Sequence, residues 1–260
     1  MEEKQKMILN FFGAGSAFAI ENNSAYFEYT NSAGKKTLVC IDMPASSLTK
    51  IKRGVVDIKD YGDIYVYITH THADHISGLP TFAEYCYYIY GKAINIMVPG
   101  HLVYKDIQYL MESLEGSTQG LYNLYDTSKS INRRPWFKQC VPVEHVLKLK
   151  GKCFGYVFNV DKKHIMYTGD TRGLYPFSDV YTELINDGIA PSDIEFYSEI
   201  STIDVGVHVY YEKGIERLTE IANKGTQVYL MHYDNKEKLT EMLRRDKLDG
   251  IIKIAEPFFN

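Results

Sequence analysis

Thr69-His70-Thr71-His72-Ala73-Asp74-His75 holds three of the chain's eight histidines and a carboxylate within six positions. The apolar run Ile64-Tyr65-Val66-Tyr67-Ile68 leads into it, and Ile76-Ser77-Gly78-Leu79-Pro80 follows. This reads as a buried strand that ends, throws side chains off its tip and turns into a helix. In extended backbone side chains repeat every two residues, so His70 and His72 point to the same side. Asp74 and His75 then sit at the helix start, aimed back at the same point. Neutral imidazole and carboxylate are the ligands of borderline metals such as Zn²⁺. Four such groups exceed what one metal takes from one loop, so two metals are expected to divide them. A tag-like histidine tract does not sit between a buried strand and an apolar helix.

Upstream, Met7–Phe12 reads as a strand, and Gly13-Ala14-Gly15-Ser16 as a tight turn. No helix with a third glycine follows, so that turn reads as a close backbone approach beside the metals rather than a nucleotide loop. Ser24–Tyr29 and Lys36–Ile41 form a hairpin through Asn31-Ser32-Ala33-Gly34. Asp42 ends its second strand; it either holds a metal-bound histidine from behind or caps the turn. A short helix over Ser46–Arg53 precedes the metal strand.

Downstream, Gly78–Tyr90 is a helix with aromatic residues on more than one face (Phe82, Tyr85, Tyr87, Tyr88, Tyr90), which makes part of it a candidate subunit interface. Ala93–Val98 is a strand and His101–Leu114 a helix. Glu115–Pro135 lacks periodicity and reads as a variable, substrate-facing insertion. Strands follow over Gln139–Val143, Phe154–Val160, His164–Tyr167, Ile194–Glu199, Gln227–Met231 and Ile251–Ala255. Helices are expected over Asp179–Asp187, Val209–Lys224 and Lys236–Arg245. His145, Asp170 and His232 each sit just beyond an apolar strand. His101 and His164 have no such context and are assigned to the surface.

At 260 residues with 45% hydrophobic content the chain can bury a large core as one α/β domain spanning 1–260. No run approaches the ~18 apolar residues of a transmembrane helix. The charged Met1-Glu2-Glu3-Lys4-Gln5-Lys6 reads as leading into a strand and not into a signal h-region. Cys40, Cys86, Cys140 and Cys153 include no C-x-x-C pair and read as reduced structural thiols of a cytoplasmic protein. Basic residues number 29 against 33 acidic, a net charge of −4, which argues against gripping a long polyanion. Tyrosine, with 22 residues, is the oddity.

The H-x-H-x-D-H pattern of His70, His72, Asp74 and His75 resembles the metal loop of the metallo-β-lactamase superfamily, and the resemblance extends over nearly the whole chain. It implies an αββα sandwich, two sheets face to face with helices outside. It also implies that His70, His72 and His145 bind one metal, that Asp74, His75 and His232 bind the other, and that Asp170 bridges them. Zn²⁺ suits the histidines, while the carboxylates also admit Mn²⁺. Class B β-lactamases have no bridging aspartate at the station of Asp170, and flavodiiron relatives replace a loop histidine by a carboxylate. The departures leave hydrolysis of esters, lactones, thioesters or phosphodiesters.

Glu199 ending a strand, then His208 in Val207-His208-Val209-Tyr210-Tyr211, resembles the acid pair of the ribonuclease Z branch, as do Phe12-Gly13-Ala14-Gly15-Ser16 and Ile68–Pro80. That branch continues its helix-start motif with Ser or Thr where this chain has Val209 and Tyr210. The resemblance makes His208, oriented by Glu199, the proton donor to the leaving oxygen, with Asp74 orienting the attacking water or taking its proton. In bacterial ribonuclease Z a tRNA-gripping arm is inserted between the third histidine and the bridging aspartate. Here His145 and Asp170 are only 25 positions apart, which leaves room for a hairpin alone. The compact build resembles the anti-Pycsar phosphodiesterases, which degrade cyclic nucleotide signals and work as homodimers. The function so implied is hydrolysis of 3′,5′-cyclic mononucleotides (cUMP, cCMP, cAMP, cGMP) to 5′-monophosphates. A ribonuclease Z-type tRNA endonuclease and a lactonase or thioesterase are the alternatives. Tyr104, Tyr109, Tyr122 and Tyr125 are candidates to stack on a base, with core packing as their competing role.

Overall fold

Alternation along the strands decides which layer each side chain enters. In Lys36–Ile41, Leu38 and Cys40 face one way and Val39 and Ile41 the other, and all four are buried. In Asp63–Tyr67, Ile64 and Val66 oppose Tyr65 and Tyr67. A sheet with two apolar faces must be covered on both. The computed structural model describes residues 7–118, 120–129 and 134–257, and it covers each sheet with the other on one face and with helices on the second.

The first sheet holds β1 (Asn10–Gly13), β2 (Ser24–Thr30), β3 (Lys36–Ile41), β4 (Asp63–Tyr67), β5 (Ile94–Val98) and β6 (Tyr122–Asp126), side by side in sequence order. The second holds β7 (Phe137–Pro142), β8 (Phe154–Val160), β9 (Lys163–Tyr167), β10 (Ile194–Glu199), β11 (Gln227–Met231) and β12 (Ile252–Ile254), again in sequence order. Each sheet opens with two antiparallel pairings and continues with three parallel ones. The parallel crossovers need helices, as such connections do. They are α1 (Ala45–Lys52), the single turn α2 (Ala73–Ile76), α3 (Leu79–Tyr90) and α4 (His101–Gln108) in the first half, and α5 (Tyr175–Asn186), α6 (Tyr211–Asn223) and α7 (Lys236–Arg245) in the second.

Leu48, Phe82 and Val103 carry the first helices onto the outer face of the first sheet. Phe177, Leu218 and Leu239 do the same on the second. Between the sheets lie Phe27, Tyr67, Tyr156, Phe158, Tyr167, Tyr197 and Tyr229. Full burial of such a side chain contributes about 1.5–3 kcal/mol. Much of the tyrosine surplus is spent here. Tyr156 donates its hydroxyl to the carbonyl of Ile68, just before the metal loop. Asn23 donates to the Tyr167 hydroxyl, and Tyr197 donates to buried Glu195.

The fold is the αββα sandwich expected, with corrections at particular elements. Glu115–Pro135 is not without structure: Tyr122–Asp126 is the edge strand β6, paired to β5. Residues 119 and 130–133 of that stretch, like 1–6, lie outside the described residues. The helix begun at His101 widens into a π turn over Tyr109–Leu114. The helix expected from Asp179 starts at Tyr175, because Pro176 sits in its first turn, where no N–H is needed. His164 is half-buried in β9 rather than on the surface; burial holds its imidazole below the usual range, and its Nδ1 has no hydrogen-bond partner. His101 is exposed as expected. The four cysteines form no disulfide. No helix of the described residues is long and apolar enough to cross a membrane.

Gly155 in β8 marks a tight spot. A Cβ there would stand 2.4 Å from the carbonyl oxygens of Tyr167 and Thr168 and 2.5 Å from the Phe177 ring. Two of those contacts are backbone and cannot swing aside. Gly155→Ala is therefore expected to destabilise the protein by about 1–3 kcal/mol, as overpacking does. The check is a lowered urea midpoint with an unchanged slope; an unmoved midpoint contradicts this reading.

Candidate metal centre

β1, β3 and β4 run the same way in the first sheet, and β7, β9, β10 and β11 run the same way in the second. The candidate residues lie at or just beyond the C-terminal ends of these strands. β4 leads to His70 and His72 and, through α2, to Asp74 and His75. β7 leads to His145, β9 to Asp170, β10 to Glu199 and β11 to His232. His232 takes a left-handed backbone conformation (φ 51°), and so does Gly169 (φ 60°). A Cβ on Gly169 would stand 2.6 Å from the Phe154 carbonyl, so only glycine lets the chain turn there.

The structure gathers all seven predicted ligands into two sets that share Asp170. His70, His72, His145 and Asp170 bring ligand atoms together, and so do Asp74, His75, Asp170 and His232. In the second set His75 Nε2 stands 3.4 Å from Asp74 Oδ2 and 3.3 Å from Asp170 Oδ1. His232 Nε2 stands 3.4 Å from each of the same two oxygens. Two ligands ~2.1 Å from a tetrahedral zinc are ~3.4 Å from each other, so the spacing suits a cation among them. The first set is less regular. His70 Nε2 and His145 Nε2 lie 3.8 and 3.7 Å from Asp170 Oδ2, and His70 Nε2 lies 3.0 Å from His72 Nδ1. His75 Nε2 and Asp170 Oδ1 are buried without a hydrogen-bond partner, although they face each other. Buried polar atoms are rarely left so, and a bound cation would engage both. The residues present fit a divalent metal in each set.

A layer behind the ligands fixes their orientation. Asp42, fully buried, accepts from the Thr69 N–H at 2.8 Å and from the Thr69 hydroxyl at 2.8 Å, and faces His75 Nδ1 at 2.7 Å. Of the two roles open to Asp42, this is the support of a histidine from behind. The Thr69 hydroxyl has one proton and gives it to Asp42. Its 3.0 Å contact with His70 Nδ1 therefore makes that nitrogen the donor and leaves His70 Nε2 as the lone pair. His145 Nδ1 is held by the Val207 carbonyl at 2.8 Å, which turns Nε2 toward Asp170. Neither Thr69 nor Val207 was singled out by the sequence reading. A backbone carbonyl carries no residue signature, whereas a hydroxyl beside the first histidine is a readable one.

The electrostatics follow the same division. Burial, with help from the charge of His75, pushes His70 well below the usual imidazole range and keeps it neutral. At His75 burial opposes the charge, but Asp170 and Asp42 outweigh it and hold the proton. Likewise burial opposes charge on His232, yet Asp170, Asp74 and Glu199 push it up to about 10. Burial also works against ionised Asp74 and Asp170, and the surrounding histidines overcome it, holding both carboxyls well down. The negative potential that retains protons here is the potential that attracts cations.

Beside the cluster, His208 Nδ1 lies 2.6 Å from Glu199 Oε2. Glu199 is fully buried and also accepts from the N–H groups of Thr171 and Val209 at 2.6 and 3.3 Å. Burial lowers the imidazole of His208, but the hydrogen bond and charge of Glu199 outweigh it and raise its pKa above 6.5. The four tyrosines are placed elsewhere. Tyr104, Tyr122 and Tyr125 line a cavity of about 600 Å³ along β6 that includes no metal-set residue, and Tyr109 is exposed. Tyr104 and Tyr122 pack on the outer core, and the Arg134 guanidinium lies 5.4 Å from the Tyr125 ring.

The chain matches a family model described as anti-Pycsar protein Apyc1 over residues 7–256. A protein of that name from Bacillus phage 010DV004 is 26% identical over 258 residues, covering 90% of this chain and 92% of the relative. Among solved structures, the metallo-β-lactamase fold protein YhfI of Bacillus subtilis superposes with a TM-score of 0.67 at 16% identity, covering 96% of this chain and 97% of the other. The short form of human tRNase Z superposes with a TM-score of 0.60 at 16% identity, covering 97% and 98%. The chain thus has the metallo-β-lactamase fold, with clustered residues that could hold metal ions.

Metal should stabilise this protein, because it binds the folded state. Zinc or manganese is expected to raise Tm, and chelation to lower it again. Thr69→Val should weaken metal affinity about 10–100-fold, as loss of an outer hydrogen bond does. Asp170→Ala should remove most of the metal-dependent rise. An equal Tm with and without metal in the wild type contradicts the assignment.

Proposed function

The chain belongs to the anti-Pycsar protein Apyc1 family, and from that premise we propose that it is a phosphodiesterase with two divalent metals, zinc or manganese, that opens 3′,5′-cyclic mononucleotides to 5′-monophosphates. The observation that carries the reading is the Glu199–His208 pair beside the metal cluster. A thioester expels a thiolate and needs little acid help, whereas a sugar alkoxide is a poor leaving group that needs a proton. The size of the substrate is read from the segment between His145 and Asp170, which holds a short turn and the β8–β9 hairpin, with no arm for a tRNA. Cyclic UMP, CMP, AMP and GMP share the ring that is cut and differ only in the base, so broad base tolerance is expected.

When bound, the two metals supply a nucleophilic hydroxide at neutral pH and charge to stabilise the transition state. His70, His72 and His145 would hold one and Asp74, His75 and His232 the other, with Asp170 between them. Asp74 orients the attacking water or takes its proton. Water oxygen bonds to phosphorus, the bond to the 3′ oxygen breaks, and His208 gives its proton to that oxygen. Glu199 keeps His208 charged for this step and fixes its ring. A second copy of the chain is the partner we propose, meeting the exposed Tyr87, Tyr88 and Ile89 at the end of α3. We place the activity in the cytoplasm, where its substrates are.

The test is to incubate metal-loaded protein with the four cyclic mononucleotides beside a precursor tRNA and to separate the products. Opening of the cyclic nucleotides with intact tRNA is the expected result. Cleavage of the tRNA alone would instead favour a ribonuclease Z-type endonuclease. His208→Gln should lower kcat about 10²–10⁴-fold. The rate should fall as pH rises through the raised pKa of His208, because the acid is active only while protonated. Glu199→Gln removes the charge that raises it, so this limb should move to lower pH. A limb that stays in place, or a His208→Gln variant at full rate, removes His208 from the mechanism and brings a lactonase or thioesterase forward.

A further inference from the structure

Beyond His145 the chain builds a cavity that shares only that histidine with the metal sets and nothing with the acid pair. Glu144, His145, Leu147, Lys150, Gly151 and Arg172 are among the residues around a cavity of about 210 Å³. His145, one wall of it, is also placed to hold a metal. The two basic residues are carried there by the backbone of the metal centre. Arg172 lies two residues past Asp170, and its N–H donates to the Glu144 carbonyl at 2.7 Å, next to His145. Lys150 is presented by a tight turn in which the Lys152 N–H donates to the Leu149 carbonyl at 2.9 Å. The turn needs Gly151, whose φ is +76°.

Both cations are idle. Lys150 and Arg172 make no ion pair and no side-chain hydrogen bond among the described residues. Their neighbour Lys152, by contrast, is paired with Asp106 at 2.6 Å. One acid, Glu144, shares the cavity and has no ion pair either, so the lining carries a surplus of positive charge. The volume is below the ~300 Å³ at which pockets for whole small molecules begin, and suits a single anionic group. A guanidinium offers paired donors to phosphate oxygens, and an ammonium adds a point charge.

We propose that this cavity is a phosphate subsite, in which Lys150 and Arg172 hold a phosphate group beside His145. The group is either the terminal phosphate of a 5′-nucleotide or free orthophosphate. Only the nucleotide source rests on the phosphodiesterase reading; the subsite itself rests on the cavity and its cations.

Calorimetric titration of orthophosphate, and separately of adenosine 5′-monophosphate, into metal-loaded full-length chain tests this. The Lys150→Gln/Arg172→Gln double variant is expected to bind phosphate at least tenfold more weakly, with metal content and Tm unchanged. Arg172→Lys should keep part of the affinity. Adenosine 5′-monophosphate binding at least tenfold tighter than orthophosphate makes the nucleotide the source; equal affinities make it free phosphate. Unchanged phosphate affinity in the folded double variant overturns the subsite, whatever the turnover. Loss of phosphate binding in that variant, in a protein that opens no cyclic nucleotide, keeps the subsite and removes only the nucleotide source.

Discussion

A carboxylate buried out of reach of water, Asp42, is the constraint on which the metal loop depends. Burial alone drives its pKa up, and His75 and Thr69 work against that rise. Burying an ionised carboxylate costs several kcal/mol unless donors surround it. The donors come from one place: the Thr69 N–H, the Thr69 hydroxyl and His75 Nδ1. To satisfy Asp42, β4 must end at the level where β3 ends, and α2 must bring His75 back over the strand tip. The same three bonds point His75 Nε2, and through Thr69 His70 Nε2, toward Asp170. One buried charge thus sets both the path of the loop and the direction of its ligands.

The strand directions carry the rest. In both sheets the strands that deliver functional groups share one orientation, and their C-terminal ends meet where the sheets face each other. Antiparallel pairings at the start of each sheet and parallel ones after them repeat the same plan twice. The first half contributes a contiguous loop of four ligands. The second contributes single residues from separate strands: His145, Asp170 and His232. The two halves are sewn together beside His232, where Ser16 and Tyr233 exchange backbone hydrogen bonds with neighbours across the junction. The Gly13–Ser16 turn is therefore a close approach of backbones, and a Cβ on Gly13 would stand 2.3 Å from the Asn22 carbonyl.

Much of this was legible in the sequence because the ligands are of chemically distinctive types, placed at strand ends that alternation marks. All seven came together as expected, and so did the Glu199–His208 pair. What escaped has physical reasons. β6 is a half-exposed edge strand, and its run Tyr122-Asn123-Leu124-Tyr125 alternates only weakly, so propensity could not separate it from a loop. Pro176 reads as a break but sits in the first turn of α5. His164 has a polar name and no metal context, yet pairing with Ile194 across β9 and β10 carries it partly inside. The hold of Val207 on His145 is a backbone bond, which no side-chain pattern can announce.

A net charge of −4 bears more on the binding of a long polyanion than on that of a small one. A duplex or tRNA is gripped over many phosphates, so its affinity follows the extended surface. A single phosphate responds to the few charges within a Debye length, about 8 Å at physiological salt. At this mouth the local count differs from the global one. His208 is paired with Glu199 and adds no surplus of either sign, whereas the cavity beside His145 carries two cations against one acid. Elsewhere on the surface some charge is neutralised in pairs such as Lys35–Asp63, Lys213–Asp204 and Arg245–Glu212. An acidic protein can therefore carry a locally cationic cavity next to a carboxylate-rich metal cluster, because charge acts over distances shorter than the molecule.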